Sequence, residues 1–172
     1  TSSKKTAASQ ARVAGVNEAI RVAVVGFGGR GENHISGFRE LKGVRIAALC
    51  DVDRTILDKE LRKSKEKGED AQGFTDLRDL LEHCKVDIVS IATPNHWHSL
   101  GAIWAVQSGK DVYVEKPVSH NVFEGRKLVE AARKHKCMVQ AGTQCRSSVG
   151  LQEAMAWLHA GNLGKIIRAR GL

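Results

Sequence analysis

From Ile20 onward, short apolar runs rich in β-branched residues alternate with longer segments whose apolar positions recur at helical spacing. The runs predict strands at Arg21–Val25, Val44–Cys50, Val86–Ala92, Asp111–Val114 and Cys137–Ala141, with a weak strand near Phe74. Between them, helices are predicted from Arg30 to Glu40, Asp53 to Lys67, Asp76 to His83, His98 to Gln107 and Val122 to His135. Thr75 is expected to cap the third helix, Ser108-Gly109 to close the fourth, and Asn121 with Glu124 to form a capping box on the fifth. A sixth helix, Val149–Ala160, and a strand-like run, Gly164–Ala169, follow. Several strands are apolar almost throughout, as a sheet covered on both faces requires. The fold class is therefore α/β, a doubly wound parallel sheet with helices on both faces, followed by the start of a second α/β domain.

Three segments follow from this pattern. Residues 1–19 are polar and small, without a hydrophobic signal core, and form a lead-in; residues 20–145 form the main domain; residues 146–172 form a linking helix and the first strand of the next domain. A last strand with nothing to pair it is an unprotected edge, so the natural chain is expected to continue past Leu172.

Composition changes this picture little. Of the 172 residues, 42% are hydrophobic and 27% charged, and no apolar run reaches the roughly 20 residues that span a bilayer. The net charge of +8 raises nucleic acid as a partner, but the densest stretch, Asp53–Asp70, interleaves both signs at helical spacing. With 5% aromatic residues and no aromatic and basic interleaving, nucleic-acid binding is not expected. Cys50, Cys84, Cys137 and Cys145 form no CxxC pair and read as buried reduced thiols. His96 and His98, two positions apart without a thiol or carboxylate cluster, are poor metal ligands, so no metal is expected. His34, His83 and His159 read as capping or surface residues, and Trp97, Trp104 and Trp157 as packing groups.

The chemistry lies at the ends of the strands. Gly26, Gly28 and Gly31 form G-x-G-x-x-G between the first strand and the first helix. Their roles would be a tight turn, close backbone approach to a pyrophosphate, and close helix packing, with Phe27, Gly29 and Arg30 between them. Asp51 follows the second strand 25 positions after Gly26, near the interval of about 20 at which a carboxylate meets the adenosine ribose. A carboxylate there repels a 2′-phosphate and favours NAD over NADP, although Arg54 stands close enough in sequence to receive one; Asp51 can equally serve as a helix cap. With strand order 3-2-1-4-5-6, the loop Ala92–His98 and the segment Glu115-Lys116-Pro117 reach the same crevice. Lys116 there can stabilise a developing alkoxide, or can simply pair with Glu115 at the rim.

In combination, VVGFGGRG, CDVD, ATPNHWH, EKP, AGTQCRSS and GKIIRARG resemble the glucose-fructose oxidoreductase, inositol dehydrogenase and MocA family from about Asn17 to the end. The resemblance implies a Rossmann domain, then a larger α/β domain whose open antiparallel sheet holds the substrate. It implies hydride transfer between NAD(P) and a hydroxyl carbon of a sugar, cyclitol or polyol. Lys116 matches the family's catalytic lysine, and Pro117 its companion proline, often preceded by a cis bond. Thr93, Pro94, Asn95 and His98 match the loop along the nicotinamide ribose; Gln144, and more weakly Arg146, are candidates for further contact. The acid and base residues of the family's second domain have no counterpart, so this stretch by itself is expected to be inactive. Relatives with this fold include NAD-dependent glycoside hydrolases, and a non-catalytic dinucleotide-binding module is a third reading. The expected partners are a carbohydrate-like small molecule and further copies of the full-length chain, with no membrane. Both the cytoplasm and export to the periplasm by the twin-arginine route stay open.

Overall fold

The strand-forming segments come together in a computed structural model describing residues 19–170. In chain order the elements are β1 (Ile20–Val25), α1 (Arg30–Glu40), β2 (Val44–Cys50), α2 (Arg54–Glu66), β3 (Gln72–Phe74), α3 (Leu77–His83) and β4 (Ile88–Ile91). Then come a 3₁₀ turn (Asn95–Trp97), α4 (His98–Gln107), β5 (Asp111–Glu115), α5 (Val122–His135) and β6 (Val139–Gly142). The strands form one six-stranded sheet in the order β3-β2-β1-β4-β5-β6, the order expected from the sequence. The ladders β1–β2, β1–β4, β2–β3 and β4–β5 are all parallel.

Both faces of the sheet are buried. In β1, Val22 and Val24 enter one core with Phe27, Ile35 and Leu57, while Ala23 and Val25 enter the other with Leu80, Val89 and Ala102. A register shift opposite Val22 and Ala23 leaves Ala47 as an extra residue in β2, a bulge that brings Cys50 level with Val25. Both strands therefore end together, at the rim where the cleft opens.

Helix starts follow cap chemistry, with one correction. Asp53 caps α2 by accepting from the N–H of Thr55 at 2.8 Å and of Ile56 at 3.4 Å. Asn121 accepts from the Glu124 N–H at 3.0 Å, and the Glu124 carboxylate reaches back to the His120 N–H at 3.2 Å. For α3 the cap is Asp76 rather than Thr75: its Oδ1 accepts the Arg78 N–H at 2.8 Å, and aspartate is the stronger capping residue.

By internal contacts the chain divides into two units, one ending at Ala141 and the other starting at Gly142. The second contains a 3₁₀ turn (Gln144–Ser147) and α6 (Val149–His159), pinned together by the Gln152 side-chain amide donating to the Arg146 carbonyl at 2.9 Å. The expected strand at Gly164–Ala169 does not form. Among the described residues that run has no ladder partner, and an isolated extended segment has no hydrogen bonds to hold it. Among the described residues no helix is long and apolar enough to cross a membrane.

Candidate functional site: a cleft at the strand ends

β1 is followed in the chain by β2 on one side and, after β3, by β4 on the other, so the sheet opens a crevice at its carboxyl end. The glycine loop sits over that opening: the Gly26 N–H donates to the Cys50 carbonyl and the Ala92 N–H to the Val25 carbonyl, at 2.8 and 2.9 Å. Gly26 has φ +76, and a Cβ there would lie 2.9 Å from the Thr93 backbone. A Cβ on Gly31 would lie 2.1 Å from the Gly26 carbonyl oxygen. Both glycines are thus required by the fold. Gly28 and Gly29 are different: a Cβ on the first meets only the tip of Ile56, at 3.2 Å, and on the second nothing within 4 Å. No side chain caps α1, which starts at this loop, whereas α2, α3 and α5 all have side-chain caps.

Asp51 fixes the loop from the next strand. Its Oδ2 accepts the Phe27 N–H at 2.9 Å and its Oδ1 the Asp53 N–H at 3.0 Å, which leaves each oxygen able to accept a further bond, and Asp51 lines the cleft. It is not the cap of α2; Asp53 is. The cleft, of about 710 Å³, is lined by Gly26, Gly28, Gly29, Arg30, Asp51, Thr93 and Pro94, with Ile56, Trp97 and Trp104. Thr93 Oγ1 is buried and has no hydrogen-bond partner.

A second set of side chains holds the loops on the other flank. The His98 ring is buried between two carbonyls, with Nδ1 2.6 Å from Pro117 O and Nε2 2.8 Å from Thr93 O. Carbonyls only accept, so a neutral ring donates to one at a time and a doubly protonated ring to both. The bond between Lys116 and Pro117 is cis. Glu115, buried at the end of β5, receives His34 Nε2 at 2.9 Å, Arg30 Nε at 3.1 Å and the Lys116 N–H at 3.2 Å. Burial pushes the Glu115 carboxyl up, but the hydrogen bonds from His34, Arg30 and Lys116 outweigh it and hold the group below its ordinary value. With Glu115 ionised, His34 Nε2 is the donor, and in the neutral ring Nδ1 accepts the Ser90 hydroxyl at 2.9 Å. Glu115 is therefore occupied by groups other than the Lys116 side chain. Lys116 itself is exposed.

Among the expected site residues, Phe27 puts its side chain in the core and gives only its N–H to Asp51. Arg54, Asn95, His98, Glu115, Lys116 and Pro117 are not on the cleft wall, and Gln144 and Arg146 belong to the second unit. His34 is not a surface residue, because it lies on the inward face of α1 with Gly31 and Ile35, a polar group at the i+3 position of an apolar stripe. That spacing was the available signal. Trp97 and Trp104 line the cleft instead of only packing, and Thr75–Arg78 do so because β3 delivers them beside β2. Cys50, Cys84 and Cys137 are buried and Cys145 is exposed. Among the described residues no group of three or more His, Cys, Asp or Glu side chains is arranged to hold a metal.

This fold and cleft define the class of dinucleotide-binding Rossmann domains. Residues 20–143 match the model of the family described as "Oxidoreductase family, NAD-binding Rossmann fold", the glucose-fructose oxidoreductase, inositol dehydrogenase and MocA group, and the chain belongs to that family. A glycosyl hydrolase family 109 protein from Shewanella pealeana is 36% identical over 130 residues, which cover 71% of this chain and 28% of that protein. The myo-inositol 2-dehydrogenase of Lactobacillus plantarum superposes with a TM-score of 0.78 at 26% identity, over 87% of this chain and 44% of that one. The WlbA dehydrogenase of Bordetella pertussis, solved with NADH and UDP-GlcNAcA, gives 0.75 at 27% identity over the same shares. The chain thus spans little more than a quarter of the curated relative's length and less than half of the solved ones.

Proposed function

We propose that the cleft holds NAD, with the pyrophosphate over Gly28 and Gly29 and the adenosine ribose at Asp51, as the cofactor site of an oxidoreductase acting on a hydroxyl carbon of a sugar, cyclitol or related polyol. The observation that carries this is the contrast among the glycines: two are required by protein contacts, and the two at the cleft floor leave room that a Cβ would take from a ligand. The start of α1, which no side chain caps, suits a phosphate, and the unpartnered Thr93 hydroxyl suits a ligand that supplies its missing hydrogen bond. When bound, the nicotinamide supplies the hydride acceptor or donor. Lys116, exposed on a loop pinned by His98 and Glu115, is the group that stabilises alkoxide charge on the substrate and moves its proton.

Titration of NADH into the 172-residue chain is expected to give saturable binding. Absence of binding would remove the cofactor assignment. In a longer protein containing this sequence, Lys116→Ala is expected to abolish most turnover while cofactor affinity changes little; unchanged turnover would end its catalytic role. The name of the Shewanella relative favours a second reading, a glycoside hydrolase that oxidises its substrate transiently on retained NAD. Net NADH formation from a free polyol supports the dehydrogenase, and release of an aryl leaving group from an aryl glycoside without net NADH supports the hydrolase.

A further inference from the structure

The wall of the cleft beyond Asp51 carries a charged pair that the proposed chemistry leaves unused. Asp76 and Arg78 both line the cleft, at the end of the segment that follows β3. Arg78 Nε lies 3.0 and 3.1 Å from the two Asp76 oxygens, and the Arg78 backbone N–H donates to Oδ1 at 2.8 Å. Its guanidinium carbon sits 5.7 Å from the centre of the Trp104 ring, against which Trp97 lies tilted at 6.2 Å. Arg78 is thus held by a bidentate partner and an aromatic face at once.

Beyond the glycine loop the cleft wall carries two carboxylates, Asp51 and Asp76, and one guanidinium, Arg78. Hydrogen bonds from Arg78 hold the Asp76 carboxyl at about 2, so it is ionised at any working pH. The Cys50 thiol, on the same wall, is pushed up to about 12, first by burial and then by the carboxylates of Asp51, Asp76 and Asp79. Arg54 is exposed and off the cleft wall, and Arg30 is engaged by Glu115. Arg78 is the remaining cleft-lining guanidinium among the described residues.

We infer that Asp76 is a specificity-determining residue: by holding Arg78 it denies a 2′-phosphate its natural partner, and so makes the cleft accept NAD and reject NADP. This rests on the reading that the cleft holds a dinucleotide with its adenosine at Asp51. A 2′-phosphate would meet two carboxylates and an arginine whose Nε and Nη2 are already given to Asp76, while a free 2′-hydroxyl needs only the acceptor that Asp51 offers.

The experiment is a fluorescence titration of NADH and NADPH into the 172-residue chain and its variants, read as the ratio of the two dissociation constants. In Asp76→Asn the amide oxygen still caps α3 while the ion pair is lost, and the ratio is expected to move toward NADPH on the order of fivefold, the size of an exposed ion pair. Asp76→Ser, which keeps a capping oxygen, is expected to give the same shift. The double variant D76N/R78A is expected to lose most of it. An unchanged ratio in both single variants, with NADH still bound, overturns the inference and leaves the cofactor site standing; so does a shift that survives intact in the double variant. Binding of neither nucleotide by the unaltered chain overturns both.

Discussion

The glycine loop and the Glu115-Lys116-Pro117 loop flank the same strand ends but are held by different means. The glycine loop is held by backbone geometry: Gly26 at positive φ against Thr93, and Gly31 with no space for a Cβ beside the Gly26 carbonyl. The lysine loop is held by side chains distant in sequence, His98 at its proline and Arg30 and His34 at its glutamate. One region tolerates no added atoms at Gly26 and Gly31, whereas the other depends on polar partners staying in place. Arg30 and His34, both on α1, join the two regions, so the helix that starts at the glycine loop also positions the strand that leads into Lys116.

The sharpest way to break this contrast is Gly31→Ala. Its Cβ would meet a backbone oxygen at 2.1 Å, and the displacement of the loop is expected to cost about 3 kcal/mol in a urea unfolding curve. A midpoint equal to that of the unaltered chain would mean that the loop is not closed as described. On the other flank, His98→Ala leaves the Thr93 and Pro117 carbonyls without their buried donor, at an expected cost of about 2 kcal/mol. The loss should come with faster amide hydrogen exchange at Lys116; equal protection would show that other contacts hold the loop.

Glu115→Gln is expected to cost about 1–2 kcal/mol at neutral pH, since the amide gives weaker bonds to His34 and Arg30. Its pH dependence has a definite sign. The folded carboxyl lies below its ordinary 4.5, so the unfolded chain takes up the proton first. The stability it contributes is present above about 4.5 and lost as the pH falls through the lower folded value. Stability measured from pH 6 down to about 3 should therefore fall less steeply in the glutamine variant; parallel curves would contradict the pairing. The smallest effect on stability is expected for Gly28→Ala, within about 0.5 kcal/mol, because the new methyl meets only the end of Ile56. The same change should lower NADH affinity by at least about tenfold, the loss of one good contact. If it instead unfolds the chain and Gly31→Ala does not, the division of labour among the glycines is reversed.

The same contrast explains what could be seen in the sequence. The strands, the two-faced core and the glycine loop were legible because each rests on local patterns, namely apolar runs, 3.6-residue periodicity and Gly spacing, and the strand order came with the doubly wound class they define. That Asp51 would lie at the cleft was legible from its place after β2. The ties that orient the second flank were not: Glu115 meets His34 and Arg30 across 81 and 85 positions, and no local pattern encodes such pairings. His34 was misplaced because a histidine on an amphipathic helix looks like a boundary residue until its partners Ser90 and Glu115 are known. Gly164–Ala169 has strand composition, but a strand is made by its neighbour, and among the described residues it has none.

The central claim, that the cleft at the ends of β1, β2 and β4 is the cofactor site, is tested most directly by backbone amide NMR of the 172-residue chain during NADH titration. Saturable shifts at Gly26, Gly28, Gly29, Asp51 and Thr93, with the α5 helix unaffected, are the expected result. Shifts confined to surfaces away from the glycine loop, or none at saturating NADH, would contradict it.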